Sequence, residues 1–189
     1  MRLNFSRVFL DEITRRYFIL NGFDGALTVL GVILGSYVAN VRNPVAILGA
    51  GLGASVAMGL SGLFGAYMTE KAETSRRMKE LERAMLTDLK DTVIAEASKR
   101  HILKAAVIDG VSPAATTTLC LIPYILVLKN VLGFDAAFTL ALGINLIILA
   151  ALGAYLGRIS ERSLLYYAGV TIALGLVVAA VTVLVVTLI

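Results

Sequence analysis

Two acidic residues, Asp24 and Asp109, lie in stretches that are otherwise apolar, and each is followed directly by glycine. A carboxylate at membrane depth costs about 3 kcal/mol on insertion scales, so such groups usually serve the movement of ions or protons. Thr28 follows Asp24 by one helical turn and Asn21 precedes it by almost one, so the three polar side chains share a helix face. This stripe predicts a site that binds a hard cation or accepts a proton.

A second candidate group lies where the second apolar stretch ends. Glu70 and Glu73 point to roughly the same side of a helix, and Met58 lies deeper in the same stretch. Carboxylate and thioether together suit ferrous iron or manganese better than calcium. We therefore predict that these three residues take up a divalent metal from the cytoplasm. The alternative is a solvated helix end, in which the glutamates balance Lys71 and Arg76.

Five long apolar blocks must position these residues. Of 189 residues, 58% are hydrophobic and 16% are charged, whereas about a quarter are charged in an ordinary soluble domain. Each block is long enough to cross a bilayer as a helix, which takes roughly 20 residues, and Asn43-Pro44 predicts a break between the first two. The composition predicts an all-α integral membrane protein with five transmembrane helices, formed by residues 17–39, 44–69, 105–128, 136–157 and 163–189.

The blocks also contain an internal repeat. Asp24-Gly25 and Asp109-Gly110 each occur near the start of a block, and Gly65-Ala66-Tyr67 and Gly153-Ala154-Tyr155 each occur near the end of one. Because repeats set the architecture and transporters place substrate sites between them, we predict two parallel-repeat hairpins plus a fifth span. The predicted divisions are a cytoplasmic amphipathic segment (1–16), hairpin repeat 1 (17–69), a cytoplasmic charged helical link (70–104), hairpin repeat 2 (105–157) and span 5 (158–189).

The positive charges predict an orientation in the membrane. The net charge is +4, and basic residues concentrate before the first span, in the 70–104 link and between the fourth and fifth spans. The two remaining short links, between the first and second spans and between the third and fourth, each contain one basic residue, Arg42 and Lys129. The positive-inside rule therefore places the N-terminus in the cytoplasm and the C-terminus on the opposite side. Acidic residues interleave with the bases of the link, which argues against a nucleic-acid partner.

Helix packing has its own signals in the sequence. Asn145, in the middle of the fourth span, is expected to form a hydrogen bond to another helix. Helices in lipid associate at stripes of small residues, and such a stripe predicts close packing and a homodimer here. The stripe recurs every four positions in the second span, at Gly49, Gly53, Ala57, Ser61 and Gly65.

The sequence offers little for catalysis. His101 and Cys120 are its only histidine and cysteine, and it contains no HExxH, G-x-S-x-G or phosphate-loop motif. These motifs carry the ligands and nucleophiles of hydrolases and the phosphate cradle of ATP-driven pumps. We therefore expect neither an enzyme nor a resident cofactor.

The pattern as a whole resembles the vacuolar iron transporter family. The matching residues are Asp24-Gly25-Ala26-Leu27 and Leu30-Gly31-Val32 in the first span, then Gly65-Ala66-Tyr67 and Lys71-Ala72-Glu73 around the end of the second. The resemblance implies a homodimer that moves ferrous iron or manganese out of the cytoplasm in exchange for protons, with Asp24 as the translocation aspartate. The chain resembles a short form of this family, because the 70–104 link is too short for the full cytosolic metal-binding region of plant-type relatives.

The chain departs from this family pattern at two positions of the second span. Family members commonly carry a methionine three residues before the glycine of a Gly-acid-Tyr motif, whereas this chain has Gly62 at the methionine position and Ala66 at the acid position. Met58 and Glu70 each lie one helical turn away from these positions. Our hypothesis is that they substitute for the family's ligands.

These observations predict a divalent-metal transporter. Metal gathered near Glu70 and Glu73 would pass to Asp24 and Asp109, and a carboxylate that must lose its proton to bind metal would couple transport to proton exchange. The expected partners are the bilayer, a second copy of the chain, iron(II) or manganese(II), and protons. The alternative is a non-transporting membrane scaffold or assembly protein, whose intramembrane carboxylates hold helices together.

Overall fold

The computed structural model describes residues 5–89 and 92–189, and the backbone alone for residues 5–11 and 13. The described residues form five α-helices and no strand. Each helix contains a segment long and apolar enough to cross a bilayer, so the chain is an all-α, five-span membrane protein, as its composition predicts. The helices are α1 (Phe5–Val38), α2 (Pro44–Met85), α3 (Val93–Leu128), α4 (Phe134–Ile159) and α5 (Leu164–Leu188).

Two helices, α2 and α3, are much longer than a bilayer requires. Their 42 and 36 residues correspond to about 63 and 54 Å, against ~30 Å for the hydrocarbon core. The predicted charged link 70–104 therefore consists of the end of α2, a short connection and the start of α3. Residues 90 and 91 of that connection lie outside the described residues.

The structure describes the predicted amphipathic segment, residues 1–16, only in part: the backbone from Phe5 and few of the side chains. The first helix is described from Phe5, and its membrane-spanning part begins at Thr14. The apolar side chains on which that prediction rests are not described. They are Phe5, Val8, Phe9 and Ile13.

The third helix lies at the centre of the bundle, where it packs against α1, α2 and α4. The second helix makes its most extensive contacts with α3 and much smaller ones with α1, and α5 is held by α4 and α1. An apolar core fills the half of the bundle next to the α1–α2 connection. In the other half, α1 and α2 leave space between them. The core includes Val29, Ile33, Ile47, Leu121, Tyr124 and Ala141.

The connection between α1 and α2 ends in a helix cap at Asn43. The Asn43 side-chain oxygen accepts hydrogen bonds from the backbone N–H groups of Val45 at 2.9 Å and Ala46 at 3.4 Å. Pro44 occupies the first helical position, where its missing N–H would have had no helical partner. The break predicted at Asn43-Pro44 is confirmed.

The glycines that follow the two intramembrane aspartates let α3 approach its neighbours closely. A Cβ added at Gly25 would lie 2.5 Å from the carbonyl oxygen of Pro113, and one at Gly110 would lie 2.6 Å from that of Gly59. The backbone of α3 thus lies in close contact with the backbone of α1 at Gly25 and with that of α2 at Gly110. These contacts bring the helices that carry Asp24 and Asp109 together.

A polar contact joins α4 to α1 in the middle of the bundle. Nδ2 of Asn145 donates a hydrogen bond to the carbonyl oxygen of Ala26 at 2.7 Å and lies 3.5 Å from Sγ of Cys120. All three residues are fully buried. The interhelical hydrogen bond predicted for Asn145 is confirmed.

Candidate functional site

A cavity of about 770 Å³ lies between α1 and α2, with α3 as its base. Four of the six predicted site residues line it, namely Asp24 and Thr28 from α1, Met58 from α2 and Asp109 from α3. The structure therefore brings together side chains that are far apart in the sequence. The other polar groups in the lining are Tyr17, Asn21, Ser61 and Thr69.

Helical spacing explains how α1 presents its polar groups. Tyr17, Asn21, Asp24 and Thr28 are separated by alternating intervals of four and three residues, which stack them along one face. The sequence pattern predicts Asn21, Asp24 and Thr28, and Tyr17 is an addition from the structure that continues the same spacing. On α2, Ser61 belongs to the small-residue stripe, and Ser61 and Thr69 recur with Met58 on one helix face, although the sequence prediction names neither as a site residue.

Asp109 is buried and held by a hydrogen bond. Nδ2 of Asn21 donates to Oδ1 of Asp109 and also lies 3.0 Å from the carbonyl oxygen of Tyr17. A Cβ added at Gly62 would lie 2.9 Å from Oδ2 of Asp109. Glycine at position 62 thus leaves room for the Asp109 carboxylate, and a methionine at that position would compete with it for space.

Asp24 has a different environment. It is exposed on the surface of the bundle, and it has no hydrogen-bond or ion-pair partner among the residues that the structure describes. It lies about 15 Å along α1 from Thr14, where the membrane-spanning part begins. Because an unpaired carboxylate at such depth is costly, Asp24 needs a cation, a proton or a covering protein surface.

Glu70 lies just beyond the cavity, where it connects three helices. Its Oε1 accepts a hydrogen bond from the Tyr17 hydroxyl at 2.9 Å, and its Oε2 lies 3.4 Å from Nε2 of His101. The Glu70 and His101 side chains are only 15% and 10% exposed. Tyr17 also lines the cavity, so it links this shielded pair to the candidate site.

Glu73 does not join this group. Its side chain is 52% exposed, and its Oε2 lies 4.0 Å from Nε of Arg77, one turn further along α2. Glu70 instead turns toward Tyr17 and His101. Within the described part of one chain, the two glutamates therefore do not form the shared uptake site that their spacing predicts.

The cavity offers mainly oxygen atoms together with one soft sulfur. Two carboxylates, an amide, hydroxyl groups and the Met58 thioether face it, and ferrous iron and manganese accept such mixed ligands. Among the side chains that the structure describes, no three His, Cys, Asp or Glu groups converge as a metal-binding group. A metal in this cavity would therefore need ligands from Asn, Thr or Met, or from a second copy of the chain.

Comparison with known proteins places the chain in a family. It is similar to the uncharacterized protein MJ0645 of Methanocaldococcus jannaschii, with 32% identity over 159 residues that span 82% of this chain and 78% of the relative. No family model matches the sequence. Because this identity extends over most of both chains, the protein belongs to the same family as MJ0645.

Proposed function

We propose that this protein transports a divalent metal ion, iron(II) or manganese(II), through the cavity between α1 and α2. The observation that carries the proposal is that Asp24, Asp109 and Met58, from three different helices, line one cavity. Carboxylates inside a membrane domain commonly mark ion pathways, and these ligand types suit both metals. The resemblance to the vacuolar iron transporter family supports the same cargo.

The proposed transporter is a homodimer. Asp24 is exposed, and a Cβ added at Gly49, Gly53 or Gly65 on α2 would meet no atom within 4 Å. The small-residue stripe is therefore uncovered within one chain, although such stripes are where helices in lipid associate. A second copy packed on this face would shield Asp24 from lipid and bring two sets of carboxylates close together.

The proposed direction is out of the cytoplasm, in exchange for protons. The positive-inside rule favours a cytoplasmic position for the long extensions of α2 and α3, and the cavity approaches that end of the bundle at Tyr17 and Thr69. A carboxylate must be deprotonated to bind metal. Asp24 and Asp109 would release protons as metal binds and take them up again as it leaves.

Metal flux into proteoliposomes tests the role of Asp24. Asp24→Asn should abolish uptake of manganese(II) or iron(II) while the protein remains folded, because the amide keeps the size of the side chain and removes its charge. Asp135→Asn is the matched control, since Asp135 is an exposed carboxylate at the start of α4, 3.2 Å from Arg42 and outside the cavity. Undiminished flux in Asp24→Asn would remove Asp24 from the mechanism.

A membrane scaffold is the second candidate function, and the hydrogen bond between Asn21 and Asp109 favours it. This contact joins α1 to α3 directly through the two side chains. Melting temperatures in detergent separate the two functions, because metal that binds the folded state must raise the temperature. If the protein is a transporter, manganese(II) should raise its melting temperature, and the increase should be smaller for the Asp24→Asn variant. No shift at saturating metal, with Asp24→Asn less stable than wild type, would favour the scaffold.

A further inference from the structure

A second cavity, of about 700 Å³, lies outside the metal site, between the extension of α2 and the first turns of α3. The two helices run antiparallel here, and each presents one face to the other. Lys71, Thr74 and Ser75 contribute from α2, and Ser98 and Lys99 contribute from α3. The cavity therefore brings two ammonium groups and three hydroxyl groups together, although they belong to helices separated by the 86–92 connection.

The contacts of the two lysines do not involve an acidic partner. Nζ of Lys71 lies 5.6 Å from the centre of the Tyr67 ring, which is a cation–π contact. Neither lysine forms an ion pair with the described carboxylates. Nearby acidic side chains pair with arginines along their own helices, as in Arg76–Glu80 at 3.1 Å and Arg100–Glu96 at 3.7 Å.

One carboxylate, Glu82, also lines the cavity. Its Oε1 accepts a hydrogen bond from the backbone N–H of Leu89 at 3.2 Å, so it is engaged with the α2–α3 connection. Glu82 follows Lys71 by about three helical turns, roughly 16 Å along α2. The cavity lining therefore carries two ammonium groups against one carboxylate and is rich in hydroxyl donors, which is a setting that binds phosphate.

The position of the cavity matches the level of lipid headgroups. The apolar part of α2 ends near Thr69, and Lys71 follows two residues later, after Glu70. Met78 and Ile102 give the cavity an apolar wall beside its charged groups. Basic pockets between transmembrane helices at the membrane surface bind anionic headgroups. We propose that Lys71 and Lys99, with the neighbouring hydroxyl groups, bind a phosphate group supplied by an anionic phospholipid or by free phosphate.

Lipid titration of the detergent-purified protein, followed by native mass spectrometry, tests this proposal. Phosphatidylglycerol should bind more tightly than phosphatidylcholine. The double variant Lys71→Gln/Lys99→Gln should bind phosphatidylglycerol about 25-fold more weakly, from about a fivefold loss for each lysine near the membrane surface. The matched control, Lys79→Gln/Lys104→Gln, removes the same charge from exposed lysines outside the cavity lining and should retain binding.

A second variant and a second ligand complete the test. Ser98→Asp should also weaken binding, because it adds negative charge inside the cavity and leaves both lysines in place. If inorganic phosphate displaces the lipid and stabilises wild type but not the lysine double variant, the ligand is free phosphate; if only the lipid binds, it is the headgroup. Binding of neither ligand, or equal losses in the two lysine double variants, would overturn the proposal.

Discussion

Asn21 on α1 donates a hydrogen bond to Asp109 on α3, across 88 residues of sequence. The same amide nitrogen lies 3.0 Å from the carbonyl oxygen of Tyr17, one turn earlier on α1. The contact holds one intramembrane carboxylate inside the bundle, whereas Asp24 stays exposed on the same cavity. Two aspartates with similar local sequences thus occupy different environments, and under the proposed function Asp24 is the carboxylate more open to an ion.

Replacing Asn21 should destabilise the protein because Asp109 would lose its donor and remain buried. We expect Asn21→Leu to lower the free energy of unfolding by about 1–3 kcal/mol, measured by reversible denaturation in mixed micelles. The double variant Asn21→Leu/Asp109→Leu removes both polar groups, so its loss should be smaller than the sum of the single losses. Additive losses would contradict an energetic coupling between the two residues.

Gly25 should tolerate no larger residue. Gly25→Ala would place a Cβ 2.5 Å from the carbonyl oxygen of Pro113, and backbone must move to admit it, at a cost of about 1–3 kcal/mol. Gly143→Ala is the control, since a Cβ at that position meets nothing within 4 Å. Its better helix propensity should stabilise the protein by up to about 1 kcal/mol. Thermal unfolding in detergent measures the stability of both variants. Equal changes in melting temperature would argue against a close α1–α3 contact.

The hydrogen bond from Asn145 should contribute measurably to stability. Asn145→Ala removes the 2.7 Å contact with the carbonyl oxygen of Ala26, and hydrogen bonds between membrane helices contribute about 0.6–2 kcal/mol. Thr139→Ala, at an exposed site on the same helix, should change stability by less than about 0.5 kcal/mol. Denaturation in mixed micelles compares the two variants. A loss no larger than that of Thr139→Ala would show that the Asn145 contact adds little.

The uncovered stripe on α2 should form the dimer interface. Gly53→Leu fits the single chain, because nothing lies within 4 Å of an added Cβ, but it should block a second copy and convert dimer to monomer. Gly169→Leu, at an equally open position on α5, should leave the dimer intact. Light scattering in detergent measures the mass of each variant. A wild-type monomer, or a Gly53→Leu dimer, would contradict the proposed interface.

The sequence by itself determined which segments cross the membrane and which side chains share a helix face. Apolar blocks of this length must form helices, because lipid offers no partner for backbone polar groups. The cap at Asn43 and the polar stripe of Asn21, Asp24 and Thr28 follow from spacing along one helix. Such features depend on neighbours a few residues away, so they can be predicted without knowledge of the other helices.

Only the tertiary structure decided which faces meet. Close packing at Gly25 and Gly110 sets α3 against both α1 and α2, and this arrangement places Met58 on the cavity of the two aspartates. The same packing turns Glu70 toward Tyr17 and leaves Glu73 at the surface. Periodicity describes one helix at a time, whereas the choice of facing helix depends on the fit of all five, which no local pattern encodes.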